Sequence, residues 1–292
     1  LAGPEDAPGL LMLHGLGGAG HSFRDLIEPL STQFRVVVPD LPGHGFSSRP
    51  GPGGMALPAQ ARALAALTMA LGVVPMVGLA HSAGAAVLAR MAIDGPVAPR
   101  ALVAVNGAFL PFPGLAAVMA PSLARLLALN PAVPRAVAFG AVADPLGVER
   151  LIVGTGSRID AAGLGLYRRL IACPGHVSAA LAMMAAWQLE PLYRDLPRLS
   201  AALMLAIGTA DRAVPPRDAE RVAERLPSAR IERLAGLGHL AHEEAPERVA
   251  ALVVETARLA GVLPANAAVP AAGRQVRPSR ALRRRDGGGS VP

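Results

Sequence analysis

The chain has 292 residues, 52% of them hydrophobic and only 3% aromatic, so it can bury a full core, and that core must be built from Ala, Leu and Val. The formal charge of +7 is uneven: after Pro264 six arginines (274, 277, 280, 283, 284, 285) face one acid, Asp286, leaving about +2 for the remainder, which gives no argument for a nucleic-acid partner. Cys173 is the only cysteine, which excludes an internal disulfide and permits a reducing compartment.

Leu1 to Pro8 is loop-like, and no charged-then-apolar leader pattern opens the chain, so no secretory signal is expected. Gly9 to Leu13 is a short apolar run suited to a buried parallel strand. It runs into His14-Gly15-Leu16-Gly17-Gly18, a flexible turn at the strand end where ligands gather in open α/β sheets. A helix is predicted over about 22–30 and a strand over 34–39. Asp40-Leu41-Pro42-Gly43-His44-Gly45-Phe46-Ser47-Ser48 then reads as a structural loop anchored by Asp40, with His44 outside the chemistry. A Gly/Pro-rich patch leads into a helix ending near Leu71.

Between Arg62 and Arg90 no Asp, Glu, Lys or Arg occurs, long enough to span a bilayer. Gly72, Pro75, Gly78 and His81-Ser82 divide it into helix, turn, strand and tight turn, so a buried α/β core explains it and no transmembrane segment is expected. The strand Met76-Val77-Gly78-Leu79-Ala80 ends in His81-Ser82-Ala83-Gly84, followed at once by an alanine-rich helix. A serine at such a tip is lifted out of the sheet, and the Ala83 amide points toward whatever it attacks. This is the pattern of the nucleophile elbow of α/β-hydrolases, G-x-S-x-G, with Ala80 in place of the first glycine and Gly84 kept where strand and helix approach. Set against it is an ordinary strand-to-helix turn; the rest of the chain decides.

A strand over 101–105 ends at Asn106-Gly107. From 107 to 200 the strand–helix alternation stops, and alanine- and leucine-rich helices are broken by prolines 111, 113, 121, 131, 134, 145 and 174. An inserted helical lid is expected there, between core segments 1–106 and 201–263, with 264–292 a disordered arginine-rich tail. Phe109, Phe112, Leu115, Met119, Met183, Met184 and Trp187 could line a greasy pocket or pack the lid on the body, and both readings stay open.

The sheet resumes over 202–207, and Asp211 sits just past the strand end before Val214-Pro215. A strand over 230–234 precedes Gly236-Leu237-Gly238-His239-Leu240-Ala241-His242, and a last helix ends near Ala260. Ser82, Asp211 and His239 thus follow in the order Ser…Asp…His, each on a loop after a strand. The chemistry asks His239 to take and return the Ser82 proton and Asp211 to fix the imidazole. His242 is a rival base, assigned instead to a supporting or surface place, and the Asn106 amide cannot serve as the acid. His14-Gly15-Leu16-Gly17 looks like an oxyanion loop, with the Leu16 amide paired with that of Ala83. His14, Gly15, His81, Phe109 and Trp187 are the expected substrate-lining residues. The seven histidines show no metal-ligand spacing, no nucleotide motif occurs, and neither metal nor cofactor is expected.

Several stretches point further. From about Gly9 to Leu259 the chain resembles the magnesium chelatase accessory proteins of bacteriochlorophyll biosynthesis, an α/β-hydrolase-fold family. Asp40 to Phe46, Ala80 to Ala86 and Asn106 to Leu115 carry part of the likeness. More specific are Thr155-Gly156-Ser157-Arg158-Ile159-Asp160-Ala161-Ala162-Gly163-Leu164, Pro174-Gly175-His176-Val177 and Gly236 to Pro246. The resemblance implies an α/β-hydrolase fold and a place in the magnesium-insertion branch of pigment synthesis, in a bacterial cytoplasm beside photosynthetic membranes. It also implies that the chain is N-terminally short, with a sheet edge left exposed or a misassigned start, and that the arginine tail is an addition. Two functions follow: a serine hydrolase for an apolar substrate, a tetrapyrrole ester being one option, or a non-catalytic accessory protein binding a tetrapyrrole or chelatase subunits.

Overall fold

A computed structural model describes residues 1–269 except 96–98, 112–115 and 145, with the side chains of 116–121 also undescribed. Six strands form one parallel sheet: β1 (Gly9–Leu13), β2 (Arg35–Val37), β3 (Pro75–His81), β4 (Ala101–Val105), β5 (Ala202–Gly208) and β6 (Arg230–Leu234), in the order β2-β1-β3-β4-β5-β6. The sheet is parallel because every connection carries a helix or a long crossover, and both faces are therefore covered. That double burial is why β1, β3, β4 and β5 read as unbroken apolar runs instead of alternating ones.

Alternation survives inside the runs as a choice of face. Leu11 and Leu13 of β1, with Leu102 and Ala104 of β4, join a core beneath α2 (Leu57–Ala70), α3 (Ala83–Asp94) and α10 (Arg217–Arg225). Leu10 and Met12, with Ala101, Val103 and Val105, join the opposite core beneath α1 (Arg24–Ser31) and α12 (Pro246–Leu259). Leucine, valine and alanine dominate both, as the aromatic-poor composition requires. The strand predicted over 34–39 is shorter than expected, ending at Val37; Pro39 has no N–H to extend a ladder.

The expected open edge is partly closed. Ala2 bridges antiparallel to Val36, giving its amide to the Val36 carbonyl at 3.1 Å and accepting the Val36 amide at 2.8 Å. Gly3 allows this approach: its φ is +91°, and a Cβ there would lie 2.0 Å from the Phe34 carbonyl oxygen.

Between β4 and β5 lie α4 (Ala116–Leu129), α5 (Ala132–Ala143), α6 (Gly147–Gly154), α7 (Ala161–Ile171), α8 (Pro174–Ala185) and α9 (Glu190–Asp195). The short α11 (Ala241–Glu244) precedes α12. No single helix among the described residues is long and apolar enough to cross a membrane. Phe112 and Leu115 lie outside the described residues, as does the side chain of Met119. The tail from 270 onward, expected to be disordered, lies outside them too.

One close backbone contact positions α3 on the sheet. A Cβ on Gly84 would fall 2.4 Å from the Leu13 carbonyl oxygen and 2.5 Å from that of His14. Backbone cannot yield as a flexible side chain would, so Gly84→Ala is expected to lower stability by about 1–3 kcal/mol, read as a fall in the urea midpoint. An unchanged midpoint would mean that α3 can lift off β1 freely.

Candidate active site

The turn from β3 to α3 forces Ser82 into φ 49°, ψ −119°, a region that non-glycine residues rarely occupy. Neighbouring strands hold it there: the Ser82 amide donates to the Val105 carbonyl (3.0 Å), and the Ser82 carbonyl accepts from Ala108 (3.0 Å) and Ala85 (3.1 Å). The result lifts Oγ to the C-terminal edge of the sheet. Ala83 follows as the first residue of α3, where an amide has no intrahelical acceptor and the helix dipole favours negative charge.

His239 Nε2 lies 3.1 Å from Ser82 Oγ, and His239 Nδ1 lies 2.8 Å from Asp211 Oδ2. The second contact requires the proton on Nδ1, which leaves Nε2 to accept from the serine hydroxyl. Asp211 is fixed in turn, its Oδ1 accepting the amides of Ala213 (2.7 Å) and Val214 (3.0 Å). The Asp211 side chain is 1% exposed and that of His239 12%, so the pair is screened while one edge of the ring stays open to solvent. A hydroxyl, an imidazole and a carboxylate so connected can move a proton from Oγ to the ring as a bond forms.

Gly15 brings the loop after β1 against this group: a Cβ there would lie 3.0 Å from the Ser82 Cβ and 2.7 Å from His81 Nδ1. The loop closes on itself through the Gly18 amide and the Gly15 carbonyl (3.1 Å), with Leu16 half-buried inside the turn.

The other expected substrate-lining residues fall elsewhere. His14 is fully buried; its Nδ1 donates to Gly15 O and its Nε2 accepts from Leu41 N, both at 2.8 Å, so it braces the loop from below. His81 is buried, and its Nε2 donates to the His239 carbonyl at 2.9 Å. Phe109 is buried and borders a cavity of about 10 Å³ with Asn106, Gly107, Leu205, Ile207, Val214, Pro215 and Ala219, room for about one water molecule. Met183 is also buried, whereas Met184 and Trp187 are half-buried, Trp187 against the same core. For Phe109 and Met183 the packing reading holds.

Several residues that sequence reasoning passed over hold the His239 loop. Asn106, at φ 47°, donates through Nδ2 to the Gly238 (2.9 Å) and His239 (2.8 Å) carbonyls, and its Oδ1 accepts the Gly208 amide (2.8 Å). An amide, with both donor and acceptor, can knit β4, β5 and this loop together; a carboxylate could not donate. Asn-Gly at a strand end was the available signal. From the helical insertion, Ser157 Oγ accepts the Leu240 amide (2.7 Å) and the Thr155 carbonyl accepts the Arg212 amide (3.0 Å). Glu244 takes the amides of Gly238 (2.9 Å) and Arg158 (3.2 Å). Arg24 joins Glu243 (2.5 Å) and Asp160 (3.1 Å), and the Tyr167 hydroxyl donates to Glu243 (2.7 Å). His176 of α8 donates to Gly17 O (3.0 Å) and accepts from Gly45 N (3.2 Å), tying the insertion to the loop after β1.

His242 is neither on the surface nor in reach of Ser82 chemistry through a hydrogen bond. It is buried between Phe23 and His81, ring centroids 5.1 and 4.4 Å away, and neither ring nitrogen has a partner. Burial pulls its pKa down to about 3, and that of His14 also to about 3. Burial likewise lowers His21 and His44 to about 4 and His81 well below the usual imidazole range. Although these rings cluster, no group of three or more His, Cys, Asp or Glu among the described residues is placed to hold a metal ion.

This site geometry sits in a chain that matches the α/β-hydrolase fold family over residues 8–246, and the chain belongs to that family. Within it the chain belongs with the magnesium-chelatase 30 kDa subunit: it is 44% identical to that protein of Rhodobacter capsulatus over 254 residues, 87% of this chain and 88% of the relative. It is 26% identical to haloalkane dehalogenase 2 of Mycobacterium tuberculosis, over 85% of this chain and 87% of that one. Among solved structures it resembles a thermophilic esterase from Thermogutta terrifontis, with 26% identity and a TM-score of 0.70, covering 89% of this chain and 92% of the esterase.

Neutral, desolvated histidines make the fold acid-sensitive. Their folded pKa values lie below the unfolded value near 6.5, so the unfolded state takes up protons first as pH falls. The stability is present above about pH 6.5 and is lost toward pH 4, at up to ~1.4 kcal/mol per pH unit per group. Glu243 opposes this: burial pushes its carboxyl up to about 7 against the pull of Tyr167 and Arg24, so it favours folding as pH falls from about 7 to 4.5. Burial lowers six histidines, His176 included, and raises two carboxyls, Glu243 and Asp218, which leaves a net loss. Urea unfolding near pH 7 and about pH 5 is expected to show it, and His242→Phe to make the slope shallower by up to one proton. A slope that His242→Phe leaves unchanged would contradict the burial argument.

Proposed function

We propose that the protein is a serine hydrolase for an ester or related acyl bond of an apolar substrate. Ser82 is the nucleophile, His239 the general base and then acid, Asp211 the group that orients the ring and stabilises its cation, and the Leu16 and Ala83 amides the oxyanion donors. The observation that carries this reading is the unbroken chain from Asp211 Oδ2 through His239 to Ser82 Oγ, at 2.8 and 3.1 Å, on a strained serine. Ser82 Oγ adds to the acyl carbon as His239 Nε2 takes its proton; the imidazolium returns that proton to the departing alkoxide. Water then repeats the sequence on the acyl-enzyme and regenerates Ser82. The helical insertion of residues 107–200 serves as the lid over this chemistry, and the half-buried Met184 and Trp187 are its candidate apolar contacts.

The kinship with a magnesium-chelatase subunit favours a place in the magnesium-insertion branch of bacteriochlorophyll synthesis, in the cytoplasm beside the photosynthetic membrane, with a tetrapyrrole ester as the substrate class. The same kinship supports a second reading, in which the scaffold binds a tetrapyrrole or chelatase subunits without turnover.

A fluorophosphonate probe separates the two. Labelling of Ser82 that disappears in Ser82→Ala and His239→Ala is the expected result, with Asp211→Asn slowing ester turnover by roughly 10⁴-fold. A folded protein that takes no label would remove the hydrolase reading, and chelatase or tetrapyrrole binding that persists in Ser82→Ala would take its place.

A further inference from the structure

The helical insertion carries an apolar face that the described residues leave bare. Leu123, Leu126 (65% exposed) and Leu129 (76%) recur at helical spacing on α4, and Val137, Phe139 (75%) and Val142 stand out from α5. Leu146, Leu151 and Val153 extend the surface onto α6. Buried Ala124, Pro134 and Ala138 form the inner side of the same helices, so the outer leucines and phenylalanine are a second face with no use in the core. Isolated exposed leucines are ordinary; a cluster of this extent marks a contact surface.

Its chemistry favours a lipid surface. Ser122–Leu129 and Ala132–Ala143 together are apolar enough for a membrane interior, but the chain bends by 90° between them. At 12 residues α5 is about 18 Å long, well short of a ~30 Å hydrocarbon core, so this pair can lie in the boundary layer and cannot cross it. From Ser122 to Ala143 the only charged residues are Arg125 and Arg135, both exposed, and no acid interrupts the stretch. Asp144, which follows, is matched by Arg150. The α4–α5 stretch, apolar with two arginines and no acid, suits a bilayer with anionic headgroups, while Glu149 on the α6 extension is paired with Arg168. Val137 and Leu151 also line an open groove of about 320 Å³ with Ala141, Val148 and Ile171, a recess that an acyl segment can fill, with Asp144, already matched by Arg150, in its lining.

We propose that the α4–α5 elbow is a monotopic docking surface for an anionic lipid bilayer. It holds the protein against the membrane by the insertion, independently of the arginine tail and of whether Ser82 is active. Because α4 packs on α8, whose His176 donates to the Gly17 carbonyl, docking would place lipid beside the helix that is tied to the loop after β1.

The test is co-sedimentation of the full chain with phosphatidylglycerol–phosphatidylcholine vesicles and with phosphatidylcholine vesicles alone, beside size-exclusion chromatography. The chain is expected to sediment with the mixed vesicles and less with the neutral ones. Combined Leu126→Ser, Leu129→Ser and Phe139→Ser should weaken partition by about tenfold or more. The same loss should occur in a full-length chain whose six tail arginines are changed to glutamine. Arg125→Gln with Arg135→Gln should reduce the preference for phosphatidylglycerol while the unfolding midpoint stays put, a second arm should the triple variant misfold. The proposal is overturned by a face variant that binds like the parent, by no vesicle binding in the parent, or by a parent dimer that the face variant dissolves, since a second copy would then be what covers the leucines.

Discussion

The rest of this molecule is arranged around one disfavoured backbone conformation, that of Ser82. A residue with a Cβ at φ 49° persists only where its surroundings leave it no alternative. Here the constraints come from both sides: Val105 and Ala108 grip its amide and carbonyl, while Gly84 lets α3 approach the β1 backbone and Gly15 lets its loop approach the Ser82 and His81 side chains more closely than a Cβ would allow. The strain is thus transferred to the sheet, whose central strands β3 and β4 are among its best-buried elements. A serine on a flexible loop would need no such support, and it would have no fixed relation to His239.

The partner of that strained serine is held differently. The loop bearing His239 depends on polar contacts: Asn106 and His81 on its carbonyl, Glu244 on the Gly238 amide, Ser157 on the Leu240 amide. Two of the four come from outside the sheet and its loops. Ser157 lies in the stretch between α6 and α7, and the Arg24–Glu243–Tyr167 contacts reinforce the same junction. The position of His239 and the seating of the insertion are therefore one structural problem, so a movement of α7 would be felt at His239.

This coupling explains which parts of the fold were legible in the sequence. Strands, the elbow and the Ser…Asp…His order are local signals, carried by apolar runs, glycines and position at strand ends, and the fold follows from them. Long-range polar partnerships have no such signature. Asn106 looked like a failed acid, because nothing in a one-dimensional reading shows that an amide must donate to two carbonyls more than 130 residues away. His14 and His81 looked like pocket residues because they flank glycines and a serine; their rings are instead turned into the scaffold, where backbone groups satisfy them. Even so, the insertion stretch from Thr155 and the loop from Gly236, two of the most specific pieces of the family resemblance, turn out to touch one another. Their specificity is that of a matched pair: Gly156 and Gly238 pack so closely that a Cβ on Gly238 would lie 2.3 Å from the Gly156 carbonyl carbon.

A core with few aromatic residues and many histidines has a further consequence. Phenylalanine or tyrosine would supply large buried faces at no electrostatic cost, whereas this chain fills comparable positions beside its candidate site with imidazoles packed against one another in tilted and edge-on pairs, His81 between His239 and His242, and His44 between His14 and His176. Such a cluster is stable only while nearly every member is neutral, because neighbouring cations in a dry interior repel and lose their hydration. If His239 takes up a proton from Ser82, the new charge appears 4.6 Å from the His81 ring, with Asp211 as its compensating partner. Neutral His81 is then a necessary companion to the proton transfer. A protonated His81 would set a second cation beside that imidazolium, and burial holds His81 neutral.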